Sequence, residues 1–287
     1  MAHALAEFMS ALTSALIRQL VLGFGLMALL GVVLFLLQKW TFQLLSRALG
    51  FRGVILWTGW LGTPLHELSH VLVGKLCGIE ITEVKLWDPD PKAGVLGYVR
   101  YVVPKKDLRH LPALIGTFLM GVAPLFGGSL ALLLLLHLLA PRPDLAWSEA
   151  ARFSALVEHA QPAALGQGFL DLVRQTHLAL FWSGAGSWRP WLFLYLALAI
   201  GSHLAPSRPD LEGGLVGLVV IVGLVALVDA ILLLLGHDPA RGAERLARLT
   251  GPVTVLLILA TVLCAGNLVL ALFLSWLAPL WGRRAQP

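Results

Sequence analysis

The fold of this chain is decided by one stretch of sequence, VILWTGWLGTPLHELSHVLVGKLC at residues 54–77. It is long and apolar enough to cross a membrane as a helix, yet it carries His66, Glu67 and His70 in its interior. Two histidines four residues apart share one face of a helix, because 3.6 residues make one turn. Both rings can then bind one Zn²⁺, and the glutamate between them can act as a general base. Ionisable side chains are costly at membrane depth, so this cluster predicts a functional site rather than a pair of structural histidines.

The composition is that of an integral membrane protein. The 287 residues are 58% hydrophobic and 13% charged, whereas soluble domains carry about 25% charged residues. The net charge of +5 suits contact with anionic lipid headgroups of a bilayer. The basic residues are scattered, which argues against a nucleic-acid partner. Arginine outnumbers lysine, and leucine and alanine are abundant, which is typical of GC-rich bacterial genes. We therefore expect a multi-pass protein of a bacterial cytoplasmic membrane.

Hydropathy predicts an all-α polytopic fold with about six transmembrane helices, at residues 16–37, 54–77, 111–139, 188–204, 213–235 and 253–280. Two long connections join them. Residues 79–107 alternate polar and apolar side chains around the turn sequence DPDPKAG, which predicts a small membrane-associated β-hairpin. Residues 142–187 predict an amphipathic segment that lies along a membrane surface. Residues 1–287 leave no room for a separate soluble domain, so we expect a single integral membrane domain.

A catalytic zinc ion usually takes three protein ligands, so a third must come from another span. We predict Asp210, because it follows the fourth predicted span and lies on the same side of the membrane as the hairpin. Glu212 and His203 are the alternative ligands, and both are also candidates for hydrogen bonding to the ligands from behind. Asp210 could instead cap the helix that follows it. Asp229 lies deep in the fifth predicted span, on the opposite side, where we expect it to pair with a group such as Asn267.

At these residues the chain resembles the site-2 protease family of intramembrane zinc metalloproteases. The resemblance rests on His66-Glu67-Leu68-Ser69-His70 within a span, on GTFLMGVAP at residues 116–124 in the next span, and on the acid after the span that follows. It implies a three-helix core over residues 54–214 in which His66, His70 and Asp210 bind zinc, with the hairpin beside the site. Many members carry glycine directly after the aspartate, whereas here Leu211-Glu212-Gly213 follow Asp210.

These residues predict hydrolysis of peptide bonds in membrane-associated or transmembrane substrates. Zinc on His66, His70 and Asp210 would lower the pKa of its water to about 7. Glu67 would take the proton of that zinc-bound water and pass it to the leaving amine. The substrate would pair with the hairpin as an additional β-strand, which would hold it in an extended conformation. The alternative is a catalytically silent membrane scaffold or chaperone on the same fold. A transporter is disfavoured, because the sequence shows neither an inverted repeat nor a discontinuous helix pair. Nothing in it indicates an oligomeric state.

Overall fold

The computed structural model describes residues 2–90, 96–102, 107–158 and 162–281, and most of them are helical. The helices are α1 (Ala2–Leu20), α2 (Leu26–Val54), α3 (Trp60–Leu76), α4 (Leu111–Leu139), α5 (Pro143–Glu158), α6 (Pro162–Phe181), α7 (Trp188–Gly201), α8 (Arg208–Leu234) and α9 (Ala240–Leu277). Single π-helical turns join α1 to α2 and α2 to α3. The strands are β1 (Ile81–Lys85) and β2 (Tyr98–Tyr101), which form an antiparallel pair. The predicted all-α membrane architecture with one small hairpin is confirmed at this level.

Four stretches of the described chain are long and apolar enough to cross a membrane. They are Leu26–Leu76, Leu111–Leu139, Arg208–Leu234 and Thr250–Leu277. The first is interrupted at Gly50, whose φ of 74° and ψ of 157° are not helical. Glycine adopts a positive φ without steric cost, so the chain can change direction there. The predicted span at 188–204 corresponds to α7, whose 14 residues fall short of the roughly 20 that cross a bilayer.

Glycines let α3 and α4 pack closely in antiparallel directions. A side chain at Gly127 of α4 would collide with Ser69 of α3, and one at Gly116 would collide with Cys77. Small residues at such positions allow helix backbones to approach each other in membranes. The pairs advance in opposite directions along the two helices, so α4 carries its residues back along α3 past the two histidines.

Glycines also let α8 pack closely against α4, on another face of that helix. A Cβ atom at Gly121 would collide with the backbone oxygen of Asp210, and one at Gly217 with the backbone of Leu114. Thus α8 also runs antiparallel to α4, and therefore in the same direction as α3. The chain between α7 and α8, residues 202–207, is irregular and largely buried. The predicted break between the fourth and fifth spans thus lies beside the predicted site, with α7 ending at Gly201 and α8 beginning at Arg208.

The hairpin lies along α3 instead of extending beyond its end. Ile81, at the start of β1, would be 3.3 Å from a Cβ atom at Gly74, and the ring of Trp87 would be 2.8 Å from one at Gly59. These contacts span fifteen positions of α3 and the π-helical turn before it, or about 22 Å at 1.5 Å per residue. The strands are in register from Glu83–Arg100 to Lys85–Tyr98, with an irregularity after Ile81. Part of the predicted turn, residues 91–95, and residues 103–106 lie outside the described residues.

The predicted amphipathic segment at 142–187 contains α5 and α6. Their small and apolar residues, such as Ala146, Ala150 and Leu172, are buried in one cluster with Leu136 of α4 and Leu257 of α9. The two helices therefore pack on the bundle through one face. Their position along a membrane surface remains a prediction.

Asp229 is buried, but its predicted partner is wrong. Its Oδ1 accepts a hydrogen bond of 2.7 Å from Nε2 of Gln19, which also lies 3.3 Å from the carbonyl oxygen of Pro239. Asn267 donates instead to the carbonyl oxygen of Ala197, at 2.8 Å. Asp229 and Asn267 do not meet because of the direction in which α8 runs. That direction carries Asp229 away from the middle of α9 and toward the junction between α8 and α9.

Candidate metal centre

Three side chains from two separated parts of the chain converge on one point. Nε2 of His70 lies 3.2 Å from Nε2 of His66 and 3.2 Å from Oδ1 of Asp210. Nε2 of His66 lies 3.5 Å from Oδ2 of Asp210. Within the part of the chain that the structure describes, this is the one group of three histidine, cysteine or acidic side chains spaced to hold a metal ion. The structure therefore brings together the three residues that the sequence predicts as zinc ligands.

The spacing of the three ligand atoms fits a tetrahedral ion. Zinc binds histidine nitrogen and carboxylate oxygen at about 2.0–2.2 Å. A tetrahedral angle between two such bonds separates the ligand atoms by about 3.3–3.6 Å. The separation of 3.5 Å lies in this range, and the two of 3.2 Å lie just below it. Two imidazoles and one carboxylate are also an ordinary donor set for catalytic zinc.

Backbone carbonyls hold both histidine rings from behind. Nδ1 of His66 donates to the carbonyl oxygen of His203, and Nδ1 of His70 donates to that of Met120, both at 2.8 Å. A carbonyl oxygen can only accept, so the hydrogen is on Nδ1 and each neutral ring presents the lone pair of Nε2. Two lone pairs and a carboxylate that face one another need positive charge between them. Metal-binding histidines are oriented by this kind of hydrogen bond.

Asp210 occupies the first turn of α8, where it has two roles. Ser207 is the N-cap, and its backbone N–H and hydroxyl donate to Oδ2 of Asp210 at 2.7 and 2.6 Å. The backbone N–H of Asp210 in turn lies 3.4 Å from the Ser207 hydroxyl, which completes a capping box. The capping role proposed as the alternative for Asp210 is thus present, at the third helical position and not at the N-cap. The same bonds aim the carboxylate at the histidines.

His203 supports the centre through its main chain. Its ring Nε2 lies 3.1 Å from Oγ1 of Thr58, and that hydroxyl donates to the carbonyl oxygen of Val54 at 2.8 Å. Because the hydroxyl hydrogen is already used, the ring must donate to Thr58. The ring is therefore outside the ligand group, while the carbonyl of the same residue holds His66.

Glu212 lies away from the three ligand atoms. Its carboxylate pairs with Arg208 at 2.9 Å, and the side chains of Glu212 and Arg208 are 62% and 90% exposed. The residue follows Asp210 by two positions, which on a helix turns its side chain to a different face. Of the three candidates for the third ligand, Asp210, Glu212 and His203, only Asp210 brings its side chain to the two histidines.

Glu67 is buried beside the histidines, with 8% of its surface exposed. The hairpin closes over it, because a Cβ atom at Gly97 would lie 3.0 Å from Cγ of Glu67. The same atom would lie 2.8 Å from the carbonyl oxygen of Lys85, so Gly97 lies in close contact with both Glu67 and the neighbouring strand. Sequence reasoning missed Gly97, since its contact with Glu67 depends on how the hairpin folds back along α3.

The three ligands and Glu67 line a cavity of about 780 Å³. This volume is in the range of small-molecule and short-peptide sites. One wall is α2, with Phe35, Gln38 and Phe42, and another is β2, with Val99 and Tyr101. The side-chain oxygen of Gln38 accepts a hydrogen bond from the backbone N–H of Ala205, in the connection that precedes Asp210. The one sequence signal for Gln38 is a polar residue at the end of a predicted span, which by itself indicates an interfacial position.

No protein-family model, curated protein or solved structure matches this chain. The case for its function therefore rests on its own residues and their geometry.

Proposed function

We propose that this chain is an intramembrane zinc metalloprotease, similar to the site-2 proteases, that hydrolyses peptide bonds of membrane-associated or transmembrane substrates. One observation carries the proposal. The ligand atoms of His66, His70 and Asp210 converge at 3.2–3.5 Å, beside the buried Glu67, in a cavity among apolar helices. Ionisable groups that share a site at membrane depth are costly and accordingly mark function.

Zinc held by the three side chains would lower the pKa of a water molecule and polarise the scissile carbonyl group. Glu67 is placed to accept a proton from the attacking water as the water oxygen bonds to the carbonyl carbon. When the C–N bond breaks, Glu67 returns that proton to the leaving nitrogen, so the products are a carboxylic acid and an amine. The carbonyls behind His66 and His70 keep both rings in one tautomer throughout.

The substrate would lie extended along β2. Within the described residues the sheet has two strands, so the second edge of β2 is not paired with another strand. Residues 96–99 and Tyr101 border the cavity, next to Glu67. A segment that adds to this edge bonds backbone to backbone, with little demand on its sequence. It also leaves the helical conformation, in which its carbonyl groups would be occupied by its own hydrogen bonds.

In a bilayer we place six helical segments. They are the two arms of Leu26–Leu76 on either side of Gly50, α4, α7, α8 and α9. The short α7 and the start of α8 meet at the metal centre, where irregular backbone is tolerated because it lines a cavity. The composition suits a bacterial cytoplasmic membrane.

The decisive test uses the full chain in proteoliposomes with labelled single-span peptides of varied membrane sequence. Cleavage is followed by mass spectrometry of the products, and bound metal is measured by elemental mass spectrometry. Glu67→Gln should retain one zinc per chain and lose cleavage by about 10²–10⁴-fold, the contribution of a general base. Glu212→Gln removes the same charge from an exposed acid and should cleave normally.

Two results would contradict the proposal. If Glu67→Gln cleaves at the wild-type rate, the assigned base is wrong. If the wild-type chain binds no zinc and cuts none of the peptides, the catalytically silent scaffold is the better description.

A further inference from the structure

Tyr101 is the last residue of β2 and points to the core side of the hairpin. It pairs with Ile81 on β1, and its ring packs with Val99 against the cluster formed by Ile79 and Met120. Met120 is also the residue whose carbonyl holds His70. The ring of Tyr101 is therefore held by the same packing that positions a metal ligand.

The hydroxyl group of Tyr101 reaches the first turns of α8. A Cβ atom at Gly213 would lie 2.8 Å from the hydroxyl oxygen. Gly213 follows Asp210 by three residues, so the two lie on the same side of the helix. Tyr101 also borders the cavity that holds His66, Glu67 and His70. The phenol is thus brought to the metal centre from the side on which β2 would receive a substrate.

The hydroxyl of Tyr101 differs from those of the other two tyrosines in having no protein partner among the described residues. Tyr98 donates to Glu83 at 2.7 Å, and Tyr195 donates to the carbonyl oxygen of Trp57 at 3.0 Å. A tyrosine phenol has an ordinary pKa of about 10, so at neutral pH the hydroxyl keeps its hydrogen and is available as a donor.

We propose that the hydroxyl of Tyr101 donates a hydrogen bond to the scissile carbonyl oxygen of a peptide seated against β2. This inference rests on the proposed protease function. The bond strengthens as water attacks the carbonyl carbon and negative charge collects on that oxygen. The phenol keeps its hydrogen, since Glu67 takes the proton of the water. A donor aimed at developing charge in a water-poor site acts mainly on the transition state.

The path of the hairpin back along α3 has a consequence for which peptide bond is cleaved. A substrate strand on β2 would have its register set by backbone bonds to the strand that carries Tyr101. The carbonyl selected for cleavage would be the one that meets Tyr101 and the metal centre together. Selection would then depend on strand register more than on side-chain identity.

The test compares Tyr101→Phe with Tyr195→Phe in the full chain. Both variants keep the ring and lose the hydroxyl, and Tyr195 also accepts a bond of 3.0 Å from Trp60, so it has at least as many bonds to lose. We expect Tyr101→Phe to lower kcat by about 10²–10³-fold, the usual effect of removing an oxyanion donor. Its KM and zinc content should be unchanged. Tyr195→Phe should keep the wild-type kcat.

A second readout does not depend on turnover. A peptide with a phosphinic group in place of the scissile amide mimics the charged tetrahedral oxygen. Its affinity should fall at least about tenfold in Tyr101→Phe. Binding of an ordinary peptide substrate is measured in Glu67→Gln, which does not cleave it. The affinity for that substrate should be the same in Glu67→Gln and in the double variant Glu67→Gln/Tyr101→Phe. A packing role would instead change both affinities or the zinc content. Gly213→Ala, whose methyl group displaces the hydroxyl, should reproduce the kcat loss with the tyrosine still present.

The outcomes separate this inference from the function on which it rests. Equal kcat and equal phosphinic-peptide affinity in wild type and Tyr101→Phe would overturn the role of Tyr101 and leave the protease intact. Absence of cleavage by the wild-type chain would overturn both.

Discussion

Two groups of buried polar side chains lie among the apolar helices of this protein, and they are built differently. At the junction of α8 with α9, the amide of Gln19 supplies a donor to the acid of Asp229, which is 1% exposed. At the candidate metal centre, backbone carbonyls accept the Nδ1 hydrogens of His66 and His70. The neutral rings and Asp210 therefore direct acceptor atoms at one another, and these atoms face a cavity. In the first group a donor meets one carboxylate oxygen, Oδ1, although Oδ2 of Asp229 is buried with no hydrogen-bond partner among the described residues. In the second group acceptors meet only acceptors, and a cation between them would balance their charge. Burial of polar groups therefore indicates function only together with convergent acceptors and access.

The largest difference between the two groups is expected when one acid is removed from each. Asp210→Ala should abolish stoichiometric zinc binding and cleavage, because two imidazoles alone leave the ion without its third ligand. Asp229→Ala should retain full zinc content. Elemental mass spectrometry of the purified chains measures both, and equal zinc in the two variants would remove the distinction between the groups.

A smaller effect is expected where the hairpin contacts Glu67, the proposed general base. Gly97→Ala would place a methyl group 3.0 Å from Cγ of Glu67 and 2.8 Å from the carbonyl oxygen of Lys85. The strand or the carboxylate must shift, and we expect kcat to fall by about 10- to 100-fold, as for a misplaced catalytic group. Zinc content should not change. Gly223→Ala is the control, since its new methyl group meets no atom within 4 Å.

The cap that aims Asp210 gives the next effect. Ser207→Ala removes one of the two donors to Oδ2, and we expect zinc affinity to fall by about tenfold, as for other groups that orient a metal ligand. Ser187→Ala is the matched control, because Ser187 caps α7 in a similar way. Each loss of a cap should lower the free energy of unfolding by about 1 kcal/mol. The zinc affinity of both variants is measured by competition with a zinc-binding dye. If Ser187→Ala loses as much zinc affinity as Ser207→Ala, the effect is due to helix stability and not to the orientation of Asp210.

The smallest effect belongs to the pair away from the site. A double-mutant cycle with Gln19→Leu and Asp229→Leu should give a coupling energy of about 0.6 kcal/mol and no more than about 1.7 kcal/mol, the average and the maximum for hydrogen bonds between membrane helices. Unfolding in mixed detergent measures it. Zinc affinity should be the same in all four chains, and any coupling of this pair to zinc would show that the two groups are not independent.

The parts of the site that could be predicted from sequence are those encoded locally. His66, Glu67 and His70 lie within five residues of each other, and helical periodicity alone places the two imidazoles together. Asp210 was found by its residue type and its position after a span, and its capping role follows from the same local sequence. Tyr101 and Gly97 give no such signal, since a tyrosine and a glycine are ordinary residues of a hairpin.

The path of the chain around α8 shows most clearly what could not be predicted from the sequence. Hydropathy marks residues 188–204 and 213–235 as separate spans, and alternation of direction then sends Asp229 to the wrong partner. In the structure, α7 stops after 14 residues and α8 begins at the level of the histidines. Glycines at 121, 214 and 217 allow this approach, and a hydropathy profile cannot distinguish them from other small residues.

The amino-acid sequence by itself determined that the chain belongs in a membrane, that one apolar helix carries two imidazoles and a carboxylate within five residues, and that a hairpin follows. These properties depend on composition and on spacings of a few residues, which the local geometry of helices and strands translates directly. Only the tertiary structure decided that Asp210 completes the group, that Gln38 and Tyr101 face it, and that Asp229 does not. Those contacts join residues up to 210 positions apart, and they arise from close packing of helices rather than from any local pattern.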